Sequence, residues 1–117
     1  MDSITIKRIY EDISENDGYR ILVDRLWPRG ISKQRAQLDE WAPDIAPSTK
    51  LRKWFGHKEE RFKEFATLYK QELHLQNEEL KRVRKIAKNK KVTLLYAAKD
   101  PQINHAIILK NILIEKS

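Results

Sequence analysis

The chain contains no cysteine. That excludes disulfides, thiolate metal sites and cysteine nucleophiles, and it suits the reducing cytosol. Glycine is nearly as scarce, with three in 117 residues. The three stand far apart, at Gly18, Gly30 and Gly56, so neither a G-x-G-x-x-G dinucleotide loop nor a Walker phosphate loop occurs. There is no G-x-S-x-G nucleophile elbow either, and Ser48 has the setting of a helix cap. No apolar run reaches the roughly 18 residues that a bilayer span requires. The first residues, MDSITIKRIYED, lack the apolar core of a secretory signal. The expected setting is therefore cytoplasmic, with no membrane partner. Three histidines, His57, His74 and His105, are scattered without ligand spacing, so neither a metal nor another cofactor is expected.

What is present is a charged shell around a real core. Hydrophobic residues make up 40% of the chain and charged residues 35%, which at this length suits one compact domain over residues 1–117. The formal net charge is +7, and a basic protein attracts phosphorylated metabolites and polyanions. Lys81, Arg82, Arg84, Lys85, Lys88, Lys90 and Lys91 crowd into one short stretch. The favoured reading of this cluster is a solvated helix face followed by a basic turn. The alternative is a nucleic-acid-binding or regulatory module that uses Lys81–Lys91 on a phosphate backbone.

The centre of the sequence is YRILVDRLWPRG, Tyr19 to Gly30. Ile21, Leu22 and Val23 suit a strand covered on both faces. Asp24, Arg25, Trp27 and Arg29 follow at once, with Pro28 and Gly30 between and after them. A buried strand that releases such residues at its C-terminal end is how open α/β sheets build ligand sites.

The rest of the chain falls into place around that stretch. Ile4 to Ile9 reads as a strand, and Asn16-Asp17-Gly18 as a turn. The link between these two strands is shorter than the dozen residues of an ordinary parallel crossover. They are therefore either antiparallel or not neighbours. Ser32 caps a short helical turn through Gln37, and Leu38 to Trp41 is a brief extended segment. Ser48 caps a helix over Thr49–Phe55 that Gly56 closes. Phe62, Phe65, Ala66, Tyr69 and Leu73 give one apolar face to a helix over His57–Gln76. Asn77 is the expected cap of the next helix, whose inner face is Leu80, Val83 and Ala87. Val92 to Ala98 is a second buried strand, and Ile103 to Ile114 a final, well-buried helix. The fold class is α/β: a short mixed or mostly parallel sheet packed by four or five helices.

If the two buried strands run parallel, their charged ends share one edge. Arg25, Trp27, Arg29, Lys99, Asp100 and Asn104 then line a site for a small anionic ligand, since arginine forks suit phosphate and carboxylate. The last helix would add its N-terminus. His105 is the candidate acid or base, with Asp24 to orient an arginine or accept a ligand hydroxyl. Each has a plainer reading: Asp24 and Arg25 as a structural ion pair, Trp27 as a core lid, His105 as a ring bonded to backbone.

Three blocks, GYRILVDRLWPRG, DEWAPDIAPSTKLRKWFGH and TLLYAAKDPQINHAIIL, resemble the YeaO-like proteins, short bacterial members of a domain-of-unknown-function family. The resemblance spans about Ile6 to Leu113. It implies a small α/β domain and brings no established activity. It also implies that larger relatives share a strand ending in a V-D-x-R-like segment, then a late strand with an acidic turn and a histidine. Here those positions are Asp24, Arg25, Asp100 and His105. Binding and catalysis both stay open at this point.

Overall fold

In the computed structural model, which describes residues 3–115, four parallel strands form one sheet in the order β1-β4-β2-β3. The strands are β1 (Ile4–Arg8), β2 (Tyr19–Leu22), β3 (Glu40–Trp41) and β4 (Val92–Tyr96). All five residues of β4 are buried, because it lies between β1 and β2 with helices over its face. β1 and β2 are not neighbours, which resolves the alternative posed by their short link. Residues 9–18 carry the chain back across β4, and a buried polar cluster pins them. Asp17 accepts from Lys7 Nζ at 3.0 Å and from Arg20 Nη1 at 2.6 Å, while its carbonyl accepts from Thr93 Oγ1. Arg20 completes its fork on the carbonyls of Ala36 and Gln37. A buried guanidinium with each nitrogen bonded is tolerated where an unpaired one is not.

The helices are α1 (Lys33–Ala36), α2 (Thr49–Phe55), α3 (Phe62–His74), α4 (Asn77–Asn89) and α5 (His105–Glu115). Ser32 and Ser48 cap α1 and α2 by accepting from Arg35 N and Leu51 N. Gly56 closes α2 in the left-handed conformation. The expected helix over His57–Gln76 begins later. His57 also takes a positive φ, 59°, and a 3-10 turn over Glu59–Arg61 precedes α3. Asn77 is the first residue of α4 and not its cap; Gln76 stands at that position without a side-chain bond.

The core divides along the sheet. Ile21, Val23, Leu94 and Tyr96 face α2 through α5, where Phe55, Phe65 and Tyr69 stack in sequence. Leu22 and Leu95 face the other way, onto Ile9, Ile31 and the α1 residue Ala36. So β2 leads into α1 on one face, and its neighbour β4 leads into α5 on the other. Adjacent parallel strands whose connections leave to opposite faces open a crevice at their C-terminal ends.

Candidate functional site at the strand ends

Asp24 is the hub of that crevice. It stands two residues past β2, and its Oδ2 accepts from the backbone N–H of Ala97, just beyond β4, at 3.0 Å. The carboxylate thus closes the gap between the two strand ends. Its own carbonyl accepts from Trp41 Nε1 at 2.7 Å. Oδ1 lies 3.1 Å from His105 Nε2, at the start of α5.

His105 Nε2 also stands 2.8 Å from the Val23 carbonyl. A carbonyl only accepts, so Nε2 carries the hydrogen. That hydrogen is directed at Val23, and Asp24 Oδ1 is the one side-chain polar atom, among the described residues, that is buried without a hydrogen bond. His105 Nδ1 makes no hydrogen bond among the described residues, and the side chain is 14% exposed. The ring is held edge-on to Tyr69, whose hydroxyl donates to the Ile45 carbonyl. A histidine fixed through one nitrogen beside a carboxylate, with the other nitrogen open, is arranged to bond a ligand or accept its proton.

The other expected site residues separate into two groups. Arg29 and Lys99 are exposed, and their side chains make no hydrogen bond, ion pair or ring contact among the described residues. They are free cations at this edge. The remaining members are already engaged. Arg25 donates through Nε and Nη2 to the carbonyls of Pro47 and Ala46, and does not pair with Asp24. It lines an open groove of about 260 Å³ shared with Asp44 and Glu72. Trp27 donates to the Ile31 carbonyl at 2.6 Å and packs with Leu22 and Leu95.

Asp100 Oδ1 accepts from the amides of Gln102 and Ile103, which hold its carboxyl below the usual range. Asn104 is buried, donates to the Asp100 carbonyl and accepts from Ile107 N. The first turn of α5 is therefore capped by its own chain.

Three contributors escaped the sequence. Arg8, the last residue of β1, donates to the carbonyls of Ala97 and Ala98 and lies over the Tyr10 ring. Tyr10 donates to the Arg29 carbonyl and fixes that loop. Trp41 anchors to Asp24 from the edge strand. Each acts through a partner far along the chain, so local pattern carries no signal for it.

The basic cluster of α4 is largely committed to the fold. Arg82 pairs with Glu40 and Glu79, and Arg84 donates to the carbonyls of Ile112 and Leu113. Lys90 lies over the Tyr19 ring and Lys81 pairs with Glu78. Lys85, Lys88 and Lys91 are exposed. Among the described residues no group of three or more His, Cys, Asp or Glu is arranged to hold a metal ion. No helix among them is long and apolar enough to cross a membrane.

The fold and the strand-end hub define a small, single-sheet parallel α/β protein with a polar crevice at its topological switch point. A family model described as "Inactive DUF488-N3 subclade" matches residues 3–117. The "Uncharacterized protein YeaO" of Escherichia coli (strain K12) is 49% identical over 107 residues, covering 92% of this chain and 93% of that protein. An uncharacterised protein of Mycobacterium bovis is 42% identical over 110 residues, covering 94% and 92%. The chain belongs to this YeaO-like DUF488 subclade. No solved structure matches it.

Proposed function

We propose that this protein binds a small anionic ligand, bearing phosphate or carboxylate, in the crevice at the C-terminal ends of β2 and β4. The observation that carries the reading is the Asp24–His105 pair at the switch point, with Nδ1 unbonded on a partly exposed side chain. Arg29 and Lys99 supply free positive charge at the same edge. Arg25 is assigned a supporting role, because Asp44 and Glu72 share its groove and would repel an anion. His105 Nδ1 accepts from a ligand hydroxyl, while the bond from Nε2 to the Val23 carbonyl keeps the ring in place. The family's description as an inactive subclade favours binding without turnover over an enzyme.

Calorimetric titration with inorganic phosphate and methyl phosphate tests this. Binding to the wild type should weaken in Arg29→Ala and Lys99→Ala, by about 1.5–3 kcal/mol for a charged hydrogen bond lost. Equal affinity in all three proteins, or none in any, would remove the reading. The nucleic-acid alternative now rests on Lys85, Lys88 and Lys91, and it requires affinity that falls steeply with salt.

A further inference from the structure

Trp41 is the exposed aromatic residue nearest the hub, and it is held rigidly. Its indole N–H is bonded to the Asp24 carbonyl at 2.7 Å, and its ring meets Trp27 edge-on with centroids 5.5 Å apart. Trp27 is itself fixed by its bond to the Ile31 carbonyl. Yet Trp41 stays 42% exposed, and Leu26, two residues after Asp24, is 60% exposed. A tryptophan whose only polar atom is satisfied and whose ring is locked, but not covered, presents a prepared apolar face. The residue that anchors it also bears the carboxylate facing His105, and both lie at the edge that carries free cations. A rigid ring beside an anion site fits a ligand that joins a planar ring to an anionic group, since stacking on a locked indole costs little conformational entropy.

From this juxtaposition we infer that the anionic ligand carries an aromatic ring, and that Trp41 is its stacking platform. The inference rests on the anion reading above and narrows it to aromatic phosphates or carboxylates. It also assigns Trp41, not Trp27, as the specificity-determining aromatic residue, because Trp27 is packed into the smaller core.

The test compares phenyl phosphate with methyl phosphate on the full chain. Phenyl phosphate is expected to bind about tenfold tighter or better, the scale of one aromatic contact with its buried area. Trp41→Leu should abolish that preference, whatever it does to methyl phosphate affinity itself, and Trp41→Phe should retain most of it. In the wild type, the indole N–H resonance of Trp41 should shift with phenyl phosphate more than with methyl phosphate, a readout that needs no variant to fold. Equal affinity for the two phosphates, or a preference indifferent to Trp41→Leu, overturns the stacking role and leaves the anion reading standing. Binding of neither overturns both. A Trp41 resonance that moves only with protein concentration overturns the stacking role in favour of self-association through this face.

Discussion

Asp24 and His105 come from opposite ends of the sequence, yet their Oδ1 and Nε2 atoms lie 3.1 Å apart in the crevice between β2 and β4. The same carboxylate holds Ala97 N through its other oxygen. One side chain therefore joins the two central strands and faces the histidine. Fold and site share a residue, so some substitutions here should affect both and others only one.

Asp24→Ala leaves the amide of Ala97 without its partner and takes the carboxylate away from His105. The expected loss of stability is about 1–3 kcal/mol, the cost of a partly buried polar group left unbonded. Asp24→Asn keeps an acceptor for Ala97 and should lose less. Urea denaturation would show the midpoint falling at unchanged slope. Equal stability of Asp24→Ala and the wild type would mean that the strand-end bond is idle.

Asp17 gives the protein an acid limb. Burial opposes its ionisation, but the amide of Ser14 and the cations of Lys7 and Arg20 outweigh that and hold its carboxyl below the ordinary value. A depressed folded value means the unfolded chain takes up the proton first. Stability from this group is full above about pH 4, the ordinary carboxylate value, and is lost as pH falls through the lower folded value. Asp17→Asn should flatten that limb in a plot of Tm against pH. At neutral pH it should cost about 3–5 kcal/mol, because the Arg20 charge stays buried with its carboxylate removed.

Two glycines with positive φ should respond differently to alanine. At Gly18, with φ of 68°, a Cβ would lie 2.4 Å from the Lys91 carbonyl oxygen, where β2 begins its pairing with β4. At Gly30, with φ of 77°, a Cβ meets nothing within 4 Å. Gly30→Ala then carries only the backbone penalty of about 1–2 kcal/mol. Gly18→Ala adds a clash with backbone and should be clearly the less stable in thermal melts. The reverse order would show that β2 can shift without cost.

Tyr69 supports the His105 ring from below. Burial raises its hydroxyl well above the ordinary tyrosine value, with the charges of Asp24 and Glu72 adding to the shift. It should stay protonated where ordinary tyrosines ionise, so Tyr69→Phe should leave the ultraviolet titration near pH 10 unchanged. The same variant strips the Ile45 carbonyl of its donor and should cost about 1–3 kcal/mol.

Much of this fold was legible in the sequence, for reasons that differ by element. The runs Ile21–Val23 and Val92–Tyr96 are apolar because both sheet faces are covered, so their burial could be read directly. The shortness of the link from Arg8 to Tyr19 was enough to keep β1 and β2 from being parallel neighbours. The start of α3 was misread because Lys58 to Arg61 is as polar as an exposed helix face, and nothing local marks His57 as left-handed. At the site, Asp24 was visible as a charge at a strand end and His105 as a histidine in the first turn of the last helix. Their contact was not, since it depends on β4 lying beside β2. The Asp17 cluster looked like a simple turn because Lys7 and Thr93 reach it only through the placement of β1 and β4. Arg25 shows the converse: a cation at a strand end whose fork two backbone carbonyls had already taken.

The most direct test of the anion site is a ¹H–¹⁵N chemical-shift map of the wild type titrated with methyl phosphate. The predicted result is a set of saturable shifts at the amides of Asp24, Arg29, Ala97, Lys99 and His105, with His105→Ala weakening all of them together. Shifts confined to Lys85, Lys88 and Lys91, or no saturable shift, would contradict the placement of an anion site at the strand ends.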